Sequence, residues 1–200
     1  MKERSHLALT RGGLKKYTLR ATQLIGLKPA GAFSFFEDPK NLAAITPPWL
    51  NFRIIGDCGG STCRGAEFDY TIRWFGLTIP WRTRIIEYSA GRSFTDAQIR
   101  GPYRSWVHRH TFRAMPEGTL MEDRVDFVLP LAALPLSPLV CRQLEDIFSY
   151  RAHRVSEWAE AGTGRSPKGP ARSGRSPETG SRQVQGPQRE QAFDETRTLQ

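Results

Sequence analysis

The segment SWVHRHTF, residues 105–112, carries two of the chain's four histidines one residue apart. In an extended strand His108 and His110 point to the same side, together with Trp106 and Phe112. The aromatic neighbours mark that side as the inward one. The same alternation puts Phe94, Asp96 and Gln98 on the inner face of SFTDAQIRG, and Asp123, Val125, Phe127 and Leu129 on that of LMEDRVDFVLP. Asp96, Gln98, His108, His110 and Asp123 therefore form a polar set within an aromatic lining. Burying such groups without partners costs several kcal/mol, so they must bond to one another, to a ligand or to water.

Three kinds of chemistry suit that set. Two imidazoles with a carboxylate from Asp96 or Asp123 could chelate a metal as a facial triad. A histidine tuned by a neighbouring aspartate could abstract a proton or drive a dehydration. A His–Asp–Gln network could also be structural, or orient the polar end of a bound molecule, and this default needs no special spacing. More lining comes from AEFDYTIRW, with Phe68, Tyr70, Ile72 and Trp74 on one face, and from Trp81 in IPWRTRIIEY, where Thr83 and Ile85 share its face. These aromatic residues serve as core or pocket wall, with ligand stacking as a special case. Phe33, Phe36, Phe148 and Trp158 read as core, with Phe148 placed at the ligand. Arg151 falls in step with Ile147 and Val155 on an otherwise apolar helix face; it either snorkels to solvent, the favoured reading, or turns inward to Asp96 or Asp123. No nucleophile triad order and no phosphate loop is present.

The elements that must hold these residues follow from period and punctuation. KKYTLRATQLI alternates as a strand. In KPAGAFSFFEDPKNLAAITPPWL, Pro29 opens a helix, Asp38-Pro39 interrupts it and Thr46-Pro47-Pro48 ends a second short one. From there to Leu131 about six strands succeed one another with short turns at Gly76, Gly91 and Pro116-Glu117-Gly118, an antiparallel meander. Arg82, Arg84, Arg109 and Arg124 alternate outward among Glu67, Asp69, Glu122 and Asp126, a solvated face. Ser137 is a good N-cap and Pro138 a good first residue for a long amphipathic helix to Ala161, with Val140, Leu144, Ile147, Phe148, Val155 and Trp158 at helical spacing. The sum is an α+β domain: a curved antiparallel sheet of about six or seven strands covered by one long C-terminal helix, with two short helices after the first strand. A curved sheet around one helix leaves a space between them, a candidate ligand cavity.

Composition bounds the rest. The mean hydropathy of −0.48 is low for 200 residues, and the cause is local. Residues 162–200 are rich in Gly, Pro, Ser, Arg and Gln and are expected to form a disordered basic tail. Residues 1–14 are expected to be flexible, leaving 15–161 as the folded domain. The net charge is +9, of which the tail supplies +3. The basic residues are scattered, with no cluster or motif for nucleic acid, so no specific nucleic-acid partner is expected. The start, MKERSHLALTRGG, has no apolar signal region and no run is long enough to span a membrane. The expected location is the cytoplasm, with transient membrane contact left open. Cys58 and Cys63 flank GGST and could close across a turn, although a reducing compartment favours free thiols; Cys141 fits a helix core. No cysteine spacing matches a zinc site.

Taken together, NLAAITPPWLNFRI, GLTIPWRTRI, SFTDAQIRGPYRSWVHRHTF, DRVDFVLPL and LEDIFSYRAHR resemble the START-like, or SRPBCC, superfamily across residues 15–160. The nearest group is the bacterial polyketide cyclase/dehydrase and lipid-transport type, with coenzyme Q-binding START proteins more distant. The resemblance implies the helix-grip fold and a cavity for a small hydrophobic or amphipathic molecule such as a lipid, quinone or polyketide. It implies no cofactor and carries no metal signature. It transfers no active site. A carrier or binding protein is the expected function. A cyclase/dehydratase using His108 or His110 with Asp123 or Asp96 is the enzymatic alternative. An interaction module with a filled interior is the third. Oligomeric state and ligand identity stay open.

Overall fold

In the computed structural model, residues 5–56, 62–74 and 76–162 are described. The chain runs β1 (Ser5–Arg11), β2 (Lys16–Ile25), α1 (Pro29–Glu37), two 3-10 segments (Pro39–Ile45 and Pro48–Leu50), β3 (Arg53–Ile55), β4 (Glu67–Trp74), β5 (Leu77–Ser89), β6 (Ser93–Arg100), β7 (Ser105–Met115) and β8 (Gly118–Val128). A last 3-10 segment, Leu131–Leu136, leads into α2 (Ser137–Gly162). The strands form one antiparallel sheet in the order β1-β2-β8-β7-β6-β5-β4-β3. Only the β2–β8 pairing departs from chain order, joining the first part of the chain to the last strand.

The period-2 reading holds closely where it matters. Along β7, Trp106, His108, His110 and Phe112 are buried while Ser105, Arg109 and Arg113 are exposed. Along β8, Met121, Asp123, Val125 and Phe127 are buried. Residue pairing sets these faces side by side: Asp96 lies opposite His108 across β6–β7, and His110 opposite Asp123 across β7–β8. A bulge in β5 between Ile85 and Glu87 leaves Ile86 unpaired and returns Tyr88 to the inner face opposite Phe94. Such an extra residue bends the strand and raises its twist, helping the sheet to wrap. At the β7–β8 turn Gly118 has φ 141°, and a Cβ there would stand 2.1 Å from the Ile25 carbonyl oxygen. Glycine is required at that point.

The outer face is laced as expected, by Arg82–Asp69, Arg84–Glu67 and Arg124–Asp126 pairs. Exposed pairs of this kind are each worth under about 1 kcal/mol.

Three expectations need correction. The sheet has eight strands, not six or seven. Residues 5–11, expected to be flexible, form β1: Leu7 and Leu9 alternate, pack against the core and pair in register with β2, which would otherwise present a bare edge. Ser137, expected as an N-cap, has helical angles (φ −55°, ψ −38°), because the 3-10 turn before it feeds directly into α2. The basic tail after Gly162 and residues 1–4 lie outside the described residues, as does Cys58; Cys63 is a free, exposed thiol and Cys141 a half-buried one.

α2 packs on the inner face of the sheet and contributes to two apolar clusters. One gathers Tyr17, Leu19, Trp81, Trp106, Phe127 and Phe148. The other gathers Ile25, Phe33, Phe94, Phe112, Met121 and Val155. Along each element the polar residues fall between the two: His108 and His110 between Trp106 and Phe112, Asp123 between Val125 and Met121, Arg151 between Phe148 and Val155. The polar set is thus a layer across the middle of the core.

Candidate functional site

β6, β7, β8 and α2 deliver five side chains to that layer. His108 and His110 are each 6% exposed, with ring centroids 3.9 Å apart. Asp123 lies behind both rings. Its Oδ1 is 3.0 Å from His108 Nε2 in a hydrogen bond, and 2.7 Å from His110 Nδ1, an ion-pair contact outside the hydrogen-bonding direction. Asp96 faces the opposite edge of the rings, with Oδ2 3.8 Å from His108 Nδ1 and 3.6 Å from His110 Nε2. Thr83 fixes the other Asp96 oxygen, its hydroxyl donating to Oδ1 at 2.9 Å. Arg151 closes the layer from α2, with NH1 4.0 Å from Asp123 Oδ2 and the guanidinium over the Phe148 ring. Phe94 stacks on His110 at 4.3 Å.

The electrostatics follow from burial opposed by these contacts. Burial pulls His108 below the usual histidine value, and the neighbouring His110 adds to the effect, outweighing the pull of Asp123 and Asp96. For His110, burial also acts downward, but the charge and contacts of Asp123 and Asp96 prevail and raise it. Burial would raise both carboxyls; the histidines reverse this and hold Asp123 far below, and Asp96 below, the usual carboxylate value, with Thr83 helping Asp96. The two imidazoles are thus pushed apart, His108 toward the neutral form and His110 toward the charged one.

This layer contributes to the wall of a pocket of about 190 Å³ between α2, the 3-10 segments and the sheet. β4 gives it Phe68, Tyr70, Ile72 and Trp74, as the sequence pattern placed them. Trp81 from β5, Phe94 from β6 and Trp106 from β7 continue the wall, and Phe148 comes from α2. Asp96, His108, His110 and Arg151 supply polar atoms to the same wall. Asp123 instead faces a second pocket of about 190 Å³ beside β1, β2 and α2.

Several sequence assignments change. Gln98 does not face the pocket; its amide donates to the Tyr103 carbonyl at 2.7 Å and accepts from the Tyr103 N–H at 3.3 Å, pinning the β6–β7 loop. Phe112 and Phe127 are core residues, held among Phe33, Phe36 and Phe94 and against Tyr17 and Trp106 respectively. Arg151 turns inward instead of snorkelling, with its NH1 4.0 Å from the buried Asp123 carboxylate. Thr83, Tyr103 and Gln143 were missed as pocket residues. Thr83 carried a signal, sitting on the inner face of β5; Tyr103, in an irregular loop, and Gln143, beside the apolar stripe of α2, carried none.

No protein-family model and no curated protein sequence matches the chain. Solved structures do. The di-domain ARO/CYC StfQ from the steffimycin biosynthetic pathway superposes with a TM-score of 0.63 at 14% identity, over 76% of this chain and 53% of that one. A Rhodobacter sphaeroides protein gives 0.59 at 12% identity, over 78% and 99%. Ara h 8.0201 gives 0.50 at 17% identity, over 70% and 97%. The fold is START-like. The START-like sheet and its gripping helix match the resemblance carried by the sequence, and at these identities the likeness speaks to fold alone. Among the described residues no helix is long and apolar enough to cross a membrane.

Proposed function

We propose that the protein binds one small amphipathic molecule in the pocket between α2 and the sheet, as a carrier or binding protein. The supporting observation is that residues of an otherwise aromatic wall carry buried polar atoms with no hydrogen-bond partner among the described residues. They are Trp81 Nε1, Arg151 Nε and NH1, and Gln143 Oε1. Buried donors seek acceptors, and leaving them unmet costs about 1–3 kcal/mol each. Three of the four atoms are donors, which favours a ligand with an apolar body and a carbonyl, carboxylate or phenolic oxygen at one end. Lipids, quinones and polyketides all have that form. The space itself speaks against the filled-interior interaction module.

The test is uptake of cis-parinaric acid, an amphiphile whose fluorescence rises on burial. Wild type should saturate at one equivalent. Ile72→Trp, which fills the pocket from β4, should remove the uptake while the far-UV spectrum and melting temperature stay near wild type. Equal uptake by both proteins would show that the probe binds elsewhere.

The paired histidines and carboxylates favour a second reading, acid–base chemistry on the bound molecule of the cyclase/dehydratase kind. Here neutral His108, backed by Asp123, is the base. His108→Gln separates the two readings: a binder keeps its ligand with altered affinity, whereas an enzyme retains binding and loses turnover.

A further inference from the structure

The polar layer has a feature that ligand binding does not require. The nitrogens His108 Nδ1 and His110 Nε2 both face Asp96 Oδ2, at 3.8 Å and 3.6 Å, and the three atoms lie within 4.8 Å of one another. The opposite nitrogens of both rings face one oxygen of Asp123, at 3.0 Å and 2.7 Å. A carboxylate behind an imidazole fixes which nitrogen bears the proton and aims the other; it is the usual outer partner of a metal-bound histidine. Here one carboxylate hydrogen-bonds one ring and lies in ion-pair contact with the other. The hydrogen bond from Nε2 leaves the Nδ1 of His108 as a lone pair turned toward an anionic oxygen, an arrangement that calls for a cation between them.

We propose that Asp96, His108 and His110 bind one divalent transition-metal ion of the zinc or ferrous-iron class, with Asp123 as the outer carboxylate that positions both rings. Two imidazoles and one carboxylate are a donor set for such ions. Donors about 2.1 Å from a common ion at tetrahedral angles stand roughly 3.4 Å apart, so the two measured separations need to close by only a few tenths of an ångström. The supporting shell is built in. Both histidines are more than nine-tenths buried, Thr83 holds Asp96 Oδ1 and leaves Oδ2 free to ligate, and Phe94 covers one face of His110. The three donors line the first pocket and Asp123 does not, so an ion here would present its open positions to the pocket. There it would act as a Lewis acid on the acceptor oxygen of a bound molecule. Arg151 approaches Asp123 Oδ2, not the Oδ1 that accepts the His108 hydrogen bond, and so leaves the Asp96 side of the rings open. The sequence expectation of no metal rested on the generic spacing of two alternate histidines; the placement of Asp123 behind both is what the strands add.

The proposal stands apart from the ligand reading, because it is tested with the metal alone. Full-length protein is stripped with EDTA and titrated with Co²⁺, reading d–d absorption, then challenged with Zn²⁺. One equivalent should bind and be displaced. Asp96→Asn and His110→Gln should weaken binding by at least about 100-fold, and the positioning variant Asp123→Asn by about 10–100-fold. His153→Ala, which removes an exposed histidine on α2, should bind as wild type does. Absence of saturable uptake by folded wild type overturns the proposal. So does uptake that survives Asp96→Asn and His110→Gln unchanged, or that is lost in His153→Ala. If the site variants fail to fold, X-ray absorption on zinc-loaded wild type decides: two imidazoles in the first coordination shell support the site, and fewer than two overturn it.

Discussion

Asp123→Asn is the sharpest probe of the buried layer. Asp123 is 5% exposed and faces His108 at 3.0 Å, His110 at 2.7 Å and Arg151 at 4.0 Å. Asparagine keeps the shape and can still accept the hydrogen bond from His108, but it removes the charge that holds His110 and Arg151. Breaking a buried ion cluster by neutralising one member costs about 3–5 kcal/mol. The surviving hydrogen bond puts this case at the low end, about 3 kcal/mol. For a domain of this size that is a fall of about 6–12 °C in Tm. Urea denaturation followed by far-UV circular dichroism should show the loss as a lower midpoint with an unchanged slope. Glu67→Gln is the control, since its exposed pair with Arg84 should be worth under about 1 kcal/mol. If both variants lose the same small amount, the idea of a tightly coupled buried layer is wrong.

Other expectations test the surroundings. Burial raises Tyr70, Tyr88 and Tyr103 above the ordinary value of 10, with Asp96 adding to the shift at Tyr70 and Glu37 at Tyr88. These groups remain neutral in the folded protein while their unfolded counterparts ionise, so stability is full below about pH 10 and falls as the pH rises through the folded values. Absorbance at 295 nm should show them ionising together with unfolding; free titration of all tyrosines near pH 10 in the folded state would contradict this. Gly118→Ala should cost about 2 kcal/mol or more in urea denaturation, because a Cβ meets the Ile25 carbonyl and φ is positive; a neutral result would disprove the close approach. Deleting residues 1–11 should cost about 2 kcal/mol, through Leu7 and Leu9 and the exposed β2 edge. A truncated protein as stable as the full chain would instead favour a flexible start.

Legibility in the sequence followed local periodicity. The inner faces of β4, β7 and β8 could be read because strict alternation places every second residue on one side, and that alone brought His108, His110, Asp96 and Asp123 together. β1 was lost because charged residues and two glycines surround a short alternating run whose only reason to order is the open edge of β2. Gln98 had the right parity for the pocket, but its side chain folds back onto the neighbouring loop, a preference set by the geometry of residues 101–104 that no period encodes. Phe112 and Phe127 face inward as read, yet the pocket occupies only part of that face, and the rest is packed core. Arg151 could not be settled on its own helix, since its direction depends on the Asp123 carboxylate delivered by a distant strand. The same holds for the relation of Asp123 to the two imidazoles, which arises only from the β7–β8 register.

The central claim is that the aromatic pocket lined in part by Arg151 and the histidines receives one amphipathic molecule. Native mass spectrometry of the full-length purified protein, followed by solvent extraction and analysis of any released compound, tests it most directly. The account predicts a one-to-one adduct whose extracted compound has an apolar body and an oxygen acceptor at one end, and which is missing from Ile72→Trp. A bare polypeptide mass, together with no saturable uptake of cis-parinaric acid, would contradict it.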